Sequence, residues 1–272
     1  MSPFPRRRLR PVAIIFGAVC LTHLGAELLG AETLSRVTQW AAMPLLAATL
    51  LDARGHVLRD TATEARGARG SAPREKGPAE QTPETSEAPA TAAAPQALPG
   101  TIRAHVVRYT ALGLGFSFLG DTLPSFVPED LGFLAMVGMF ALAQATYCVA
   151  FWPLRAGSVL RRPLPVLGYT ALGLGVMGAC AAQAGPLLPV LPVYAGLMVG
   201  MAVLSTGVHR LAGAGALLFV ISDAMIGLNT FAPWWHLPAQ GFWVMLTYLS
   251  GQSLIVLGVL SRTSPESRRE LP

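Results

Sequence analysis

Gly215 to Phe231 reads GALLFVISDAMIGLNTF, a run of apolar residues interrupted by one carboxylate, Asp223. The run is long enough to cross a bilayer core as a helix, which takes about 17 to 25 residues. An ionised aspartate at the centre of such a helix costs about 2.5 to 3.5 kcal/mol on insertion scales, so it marks a functional position by default. A second stretch, GLGFSFLGDTL from Gly113 to Leu123, has the same design and carries Asp121. The two together predict a helical membrane bundle with its carboxylates turned inward to share one water-poor chamber.

Composition agrees. Of the 272 residues 52% are hydrophobic and only 13% charged, against about 25% charged in soluble domains. The 28 glycines suit membrane helices, where Gly is commoner than in soluble ones. The formal charge of +5 reports topology in such a chain, and nucleic acid is not an expected partner.

Apolar segments of spanning length are expected at Val12–Leu29, Leu34–Leu51, Ala104–Leu123, Leu131–Trp152, Leu164–Ala181, Leu187–Thr206, Leu211–Phe231 and Phe242–Ser261. The fold class is therefore all-α and integral to the membrane, an eight-helix bundle. Glu27 and Leu28 interrupt the place where a signal peptidase would need small residues, so the first apolar run is read as a retained helix. With both termini in the cytoplasm, only Arg36 of the 20 Lys and Arg falls on the outer side. That bias supports eight spans and a multi-pass protein of the cell membrane. Glu129, Asp130 and the Trp234, Trp235, His236 cluster fall outside, the tryptophans as an interfacial belt.

Four regions follow. Residues 1–51 hold helices one and two, 52–103 form a linker, 104–261 hold helices three to eight, and 262–272 are a cytoplasmic tail. The linker is rich in Ala, Pro, Glu, Thr and Gly and poor in large apolar residues, a composition that predicts a disordered cytoplasmic spacer. YTALGLG occurs at Tyr109–Gly115 and again at Tyr169–Gly175. It is read as small-residue packing, with Gly113, Gly115, Gly173 and Gly175 letting backbones approach.

Residues four apart share a helix face. Gly113, Ser117 and Asp121 form one such face, and Gly215, Phe219, Asp223 and Gly227 another. Two carboxylates in a low-dielectric pocket do not both ionise easily, so one is expected to keep a proton while the other stays charged. Tyr248 with Gln252, and Gln144 with Tyr147, put phenol and amide on single faces of helices eight and four, as substrate contacts or interhelical glue. Asn229 is a further polar candidate, and Glu27 lies near an interface. Cys20, Cys148 and Cys180 lie in different segments and suggest neither disulfides nor zinc. His23 lacks a metal-binding partner spacing, and no GxSxG, P-loop or strand-borne GxGxxG occurs. No metal and no cofactor is expected.

FSFLGD at Phe116–Asp121, FALAQATYCVAF at Phe140–Phe151, GALLFVISDAMIGLNTF, and FWVMLTYLSGQSLIVLG at Phe242–Gly258 resemble, in order and spacing, the motifs of the YhhN-like lysoplasmalogenase family. The resemblance implies an eight-helix membrane hydrolase that cleaves the vinyl-ether bond of lysoplasmalogens, releasing a fatty aldehyde and a glycerophospho-alcohol. It implies Asp121 and Asp223 as the catalytic pair, with Tyr147, Tyr248 and Gln252 at matching positions and a lysophospholipid as the partner in the bilayer. Two positions depart from the pattern. Gln144 stands where the family usually has histidine, and a lysine usual in the second helix is missing near Gln39 and Trp40. A proton-coupled transporter is the alternative, since intramembrane carboxylates also relay protons. A structural subunit, with the acids as packing glue, is the third reading.

Overall fold

A computed structural model describes residues 11–70 and 98–263, without the side chains of 54–70. Eight helices follow in order: α1 (Pro11–Leu29), α2 (Glu32–Gly70), α3 (Gly100–Thr122), α4 (Glu129–Phe151), α5 (Pro163–Ala181), α6 (Val190–Ser205), α7 (Arg210–Phe231) and α8 (Gln240–Thr263). Short 3₁₀ turns join some of them, and no strand occurs among the described residues. The fold is all-helical.

Among the described residues five helical stretches are long and apolar enough to cross a membrane: α1, α4 with the turn after it, α5, α7 and α8. α6 is apolar but shorter, at 16 residues. It was expected over 187–206; Gly185, Pro186 and Pro189 hold the start of that stretch in a 3₁₀ turn, and the α-helix begins only at Val190.

The local sequence explains most boundaries. Pro163 opens α5, a position where a missing N–H costs nothing. His209 caps α7, its Nδ1 accepting the Leu211 N–H at 3.1 Å. Between α1 and α2 the chain turns through Gly30 at φ 66°, a left-handed conformation that suits glycine. α2 does not stop at Leu51 but continues to Gly70. Residues 52–70 contain no proline and are rich in Ala and Arg, which favour helix. The first part of the expected linker is thus helical; its stretch over 71–97 lies outside the described residues.

Three hairpins, α1/α2, α3/α4 and α7/α8, supply the main pairings. α2 also packs on α3, α6 joins α4 to α7, and α5 lies against α6 and α7. α8 touches α1, α2, α3 and α7, so it runs through the middle of the assembly. Leu114, Phe140, Tyr147, Phe219 and Ile255 fill the centre. Outward, Leu21 and Leu164 are 74% and 80% exposed, apolar surface of the kind that lipid covers.

Close backbone contact fixes the α7/α8 pair. A Cβ on Gly215 would come within 2.5 Å of the Gly251 carbonyl, and one on Gly251 within 2.8 Å of the Gly215 carbonyl. Such small-residue interfaces hold membrane helices together without a hydrophobic driving force. Of the repeated YTALGLG glycines, Gly113 and Gly173 meet neighbours that a Cβ would strike, whereas Gly115 and Gly175 face open space.

Candidate active site

Asp223 sits on α7 and is 8% exposed. Its Oδ2 accepts two hydrogen bonds, from Gln144 Nε2 on α4 at 2.9 Å and from the Tyr194 hydroxyl on α6 at 2.7 Å. Asp121, near the end of α3, is half-buried. Its Oδ2 accepts from the Tyr248 hydroxyl on α8 at 2.8 Å, and its Oδ1 from Gln39 Nε2 on α2 at 3.4 Å. Each carboxylate thus receives one phenol and one amide from two other helices.

Among the described residues no hydrogen bond joins the two carboxylates directly. Aromatic rings stand in the region that links them. Phe140, Phe219 and Tyr248 pack mutually with ring centroids 5.7 to 6.0 Å apart. Phe219 is one turn from Asp223, and Tyr248 bonds Asp121. Phe140 fits against α3 because position 120 is glycine; a Cβ there would lie 2.9 Å from the ring.

A second network braces the first from one turn below. The Tyr147 hydroxyl donates to Gln252 Oε1 at 2.8 Å, and Gln252 Nε2 donates to Ser117 Oγ at 3.1 Å. Ser117 precedes Asp121 by four residues and Gln252 follows Tyr248 by four, so the two α3–α8 links stack along one seam. Gly113 makes room for Tyr147, whose ring would lie 2.6 Å from a Cβ at that position. Tyr147 and Gln252 therefore hold the helices that carry the acids. Ser222, beside Asp223 in sequence, turns away and donates to the Val244 carbonyl of α8 at 3.1 Å.

Gln144, Tyr147, Tyr248 and Gln252 all take part in these networks. Asn229 does not; it is exposed, six residues beyond Asp223 and on another face. Sequence reasoning missed Tyr194 altogether and noted Gln39 only as a departure from a motif. A lone hydroxyl in the apolar run VLPVYAGLMVG was the available signal for Tyr194. Gln144 Oε1 is buried without a hydrogen-bond partner, an acceptor beside Asp223 for a hydroxyl or a water.

Asp223 and Tyr194 lie in the wall of a narrow, partly open cavity of about 90 Å³ between α4, α5, α6 and α7. The rest of the wall is Phe, Leu, Met, Val, Ile, Ala, Gly and one Cys, among them Phe133, Met136, Val176 and Met198. No group of three or more His, Cys, Asp or Glu that suits a metal occurs among the described residues. The three cysteines are free.

Residues 88–259, a span that begins before α3 and ends within α8, match the YhhN family. The chain belongs to the YhhN family. This YhhN-family chain is 33% identical over 165 residues to the lysoplasmalogenase TMEM86A of Bos taurus, covering 57% of this chain and 66% of that protein. It is 34% identical over 139 residues to the lysoplasmalogenase TMEM86B of Homo sapiens, covering 50% and 57%. The chain thus spans less than two thirds of the length of the curated relatives it matches. No solved structure matches it significantly. Family and apolar helices together make this a multi-pass membrane protein.

Proposed function

We infer that this YhhN-family chain is a hydrolase of the cell membrane, with eight spanning helices and both termini cytoplasmic, that cleaves the vinyl-ether bond of lysoplasmalogens. The observation that carries the reading is Asp223, held by Tyr194 and Gln144 in the wall of an otherwise apolar cavity that opens between helices. Family membership and relatives named as lysoplasmalogenases support it and do not favour the transporter alternative.

The two carboxyl settings divide the work. In a vinyl ether the β-carbon belongs to the alkyl chain, and the α-carbon carries the oxygen that leads to glycerol. A chain lying in the cavity brings the β-carbon to Asp223, whose carboxyl proton is transferred to it as the C=C π pair forms the new C–H bond. The result is an oxocarbenium ion, which the remaining carboxylate stabilises. Asp121, half-buried and on the polar side, takes a proton from a water as that water's oxygen bonds to the α-carbon. The hemiacetal then collapses. The C–O bond to glycerol breaks, the glycerol oxygen takes the proton from Asp121, and the hemiacetal hydroxyl returns its proton to Asp223. One water is consumed, aldehyde and alcohol form, and both carboxyls are restored. Gln144 Oε1 and the Tyr248 hydroxyl orient the reacting groups.

The test is aldehyde release from a lysoplasmenyl lipid by purified protein. Asp223→Asn and Asp121→Asn each lower kcat by about 10²- to 10⁴-fold, the scale of general acid–base catalysis. A double asparagine variant that still releases aldehyde at the wild-type rate would end the proposal.

A further inference from the structure

The turn between α1 and α2 carries a second, open cavity of about 270 Å³ that the hydrolytic steps leave unused. It is polar where the first is apolar. Glu27, Glu32, Ser35, Arg36, Gln39 and Ser125 line it. We propose that this cavity is the subsite for a zwitterionic phospho-headgroup, with Arg36 taking the phosphate and Glu27 and Glu32 the ammonium group. The proposal rests on the lysophospholipid reading above and adds to it the place and the residues that receive the headgroup.

Three observations carry it. The first is charge: one guanidinium stands with two carboxylates, the complement of a headgroup that bears a phosphate and an amine. Among the described residues Arg36 makes no ion pair, even though Glu32 precedes it by four on the same helix, a spacing at which such pairs commonly form. The guanidinium is free for a ligand, and guanidinium geometry suits phosphate. Glu27 is held in place, accepting from the Ser35 hydroxyl, and it fills the gap left by Gly241 at the start of α8, where any side chain would strike its Oε2.

The second is continuity with the reacting groups. Gln39 lines this cavity and donates to Asp121. Arg36 lies three residues earlier on α2, about 4.5 Å along the axis. That rise is comparable to the glycerol unit that must separate phosphate from vinyl ether. The third is polarity at the two ends. The polar cavity adjoins Asp121 and the apolar cavity adjoins Asp223, with Phe140 lining the latter and packing on Tyr248, the partner of Asp121. An amphiphile with its headgroup at Arg36 and its chain beyond Asp223 would lie across both acids. The cavity residues before position 88 fall outside the family match, so they are this chain's own evidence.

The experiment measures binding of a saturated-ether lysophosphoethanolamine, which cannot be cleaved, to the full chain in nanodiscs. Arg36→Gln weakens binding by about tenfold or more, the scale of one lost charge-assisted contact, and Arg36→Lys restores most of it. The double change Glu27→Gln with Glu32→Gln weakens the ethanolamine lipid but tightens the corresponding ether phosphomonoester. An alkylglycerol without phosphate binds all forms equally, and free phosphoethanolamine shows no saturable binding at the same concentrations, which assigns the site to a lipid headgroup. Unchanged affinity in Arg36→Gln, or equal loss of both lipids in the double variant, overturns the proposal. A wild-type protein that binds the analogue through Arg36 yet releases no aldehyde would remove the hydrolase reading and keep the subsite. Aldehyde release with an unchanged KM in Arg36→Gln would do the reverse.

Discussion

At the scale of single residues, the donors around each acid separate those that touch substrate from those that hold helices. Tyr194 donates a hydrogen bond to Asp223 beside the apolar cavity, so Tyr194→Phe lowers kcat by about tenfold or more while thermal unfolding in detergent changes little. Tyr147 bonds Gln252 and not an acid. Tyr147→Phe removes one interhelical hydrogen bond, about 0.6 kcal/mol on average in membrane proteins, and shows as a lower Tm with kcat nearly kept. If the two variants exchanged these behaviours, the roles assigned here would be wrong. Asp121 and Asp223 were legible in the sequence because a charge inside an apolar run stands out. Tyr194 was not, because a tyrosine near a helix end is also what an interfacial anchor looks like, and only the fold brings its hydroxyl to a carboxylate 29 residues away. Gln144 drew notice for the missing imidazole, yet its amide serves Asp223 directly and leaves an oxygen unused.

At the scale of helices, glycine positions sort by what a side chain would meet. Gly251→Val drives a branched side chain into the α7 backbone and destabilises the fold by about 3 kcal/mol or more, at the upper end of overpacking costs. Gly115→Val faces open space and leaves Tm within about a degree of the parent, a contrast that thermal unfolding in detergent checks. Cavity-lining positions make a separate prediction. Ala195→Phe fills part of the alkyl cavity and shifts preference toward shorter alkenyl chains, read as the ratio of kcat/KM across a chain-length series. All eight helices could be read from the lengths of apolar runs, and the α7 face of Gly215, Phe219 and Asp223 from the period of the helix. The equal treatment of both glycines in each YTALGLG was too coarse. Two residues apart on a helix are on nearly opposite faces, so only Gly113 and Gly173 meet a neighbour. The end of α2 was misplaced because hydropathy reports where lipid stops, whereas helix propensity persists beyond it.

At the scale of the whole molecule, the distribution of Lys and Arg predicts a single topology. In a variant lacking Cys20, Cys148 and Cys180, a cysteine placed at Ser125 reacts with an impermeant reagent from outside intact cells. One placed at Ser158 reacts only after the membrane is opened. Labelling with the opposite pattern, or of both sites from one side, would overturn the eight-span arrangement with cytoplasmic termini. The two cavities differ in lining as well as in place, one apolar beside Asp223 and one charged beside Gln39 and Asp121. Cleavage at a bond between them would leave the two products stranded in opposite surroundings. On the proposed reaction the aldehyde would depart sideways into the bilayer, where downstream oxidation or reduction must meet it. The water-soluble fragment would leave by the polar mouth near Arg36 and, with no chain to anchor it there, would not hold that doorway against the next lipid.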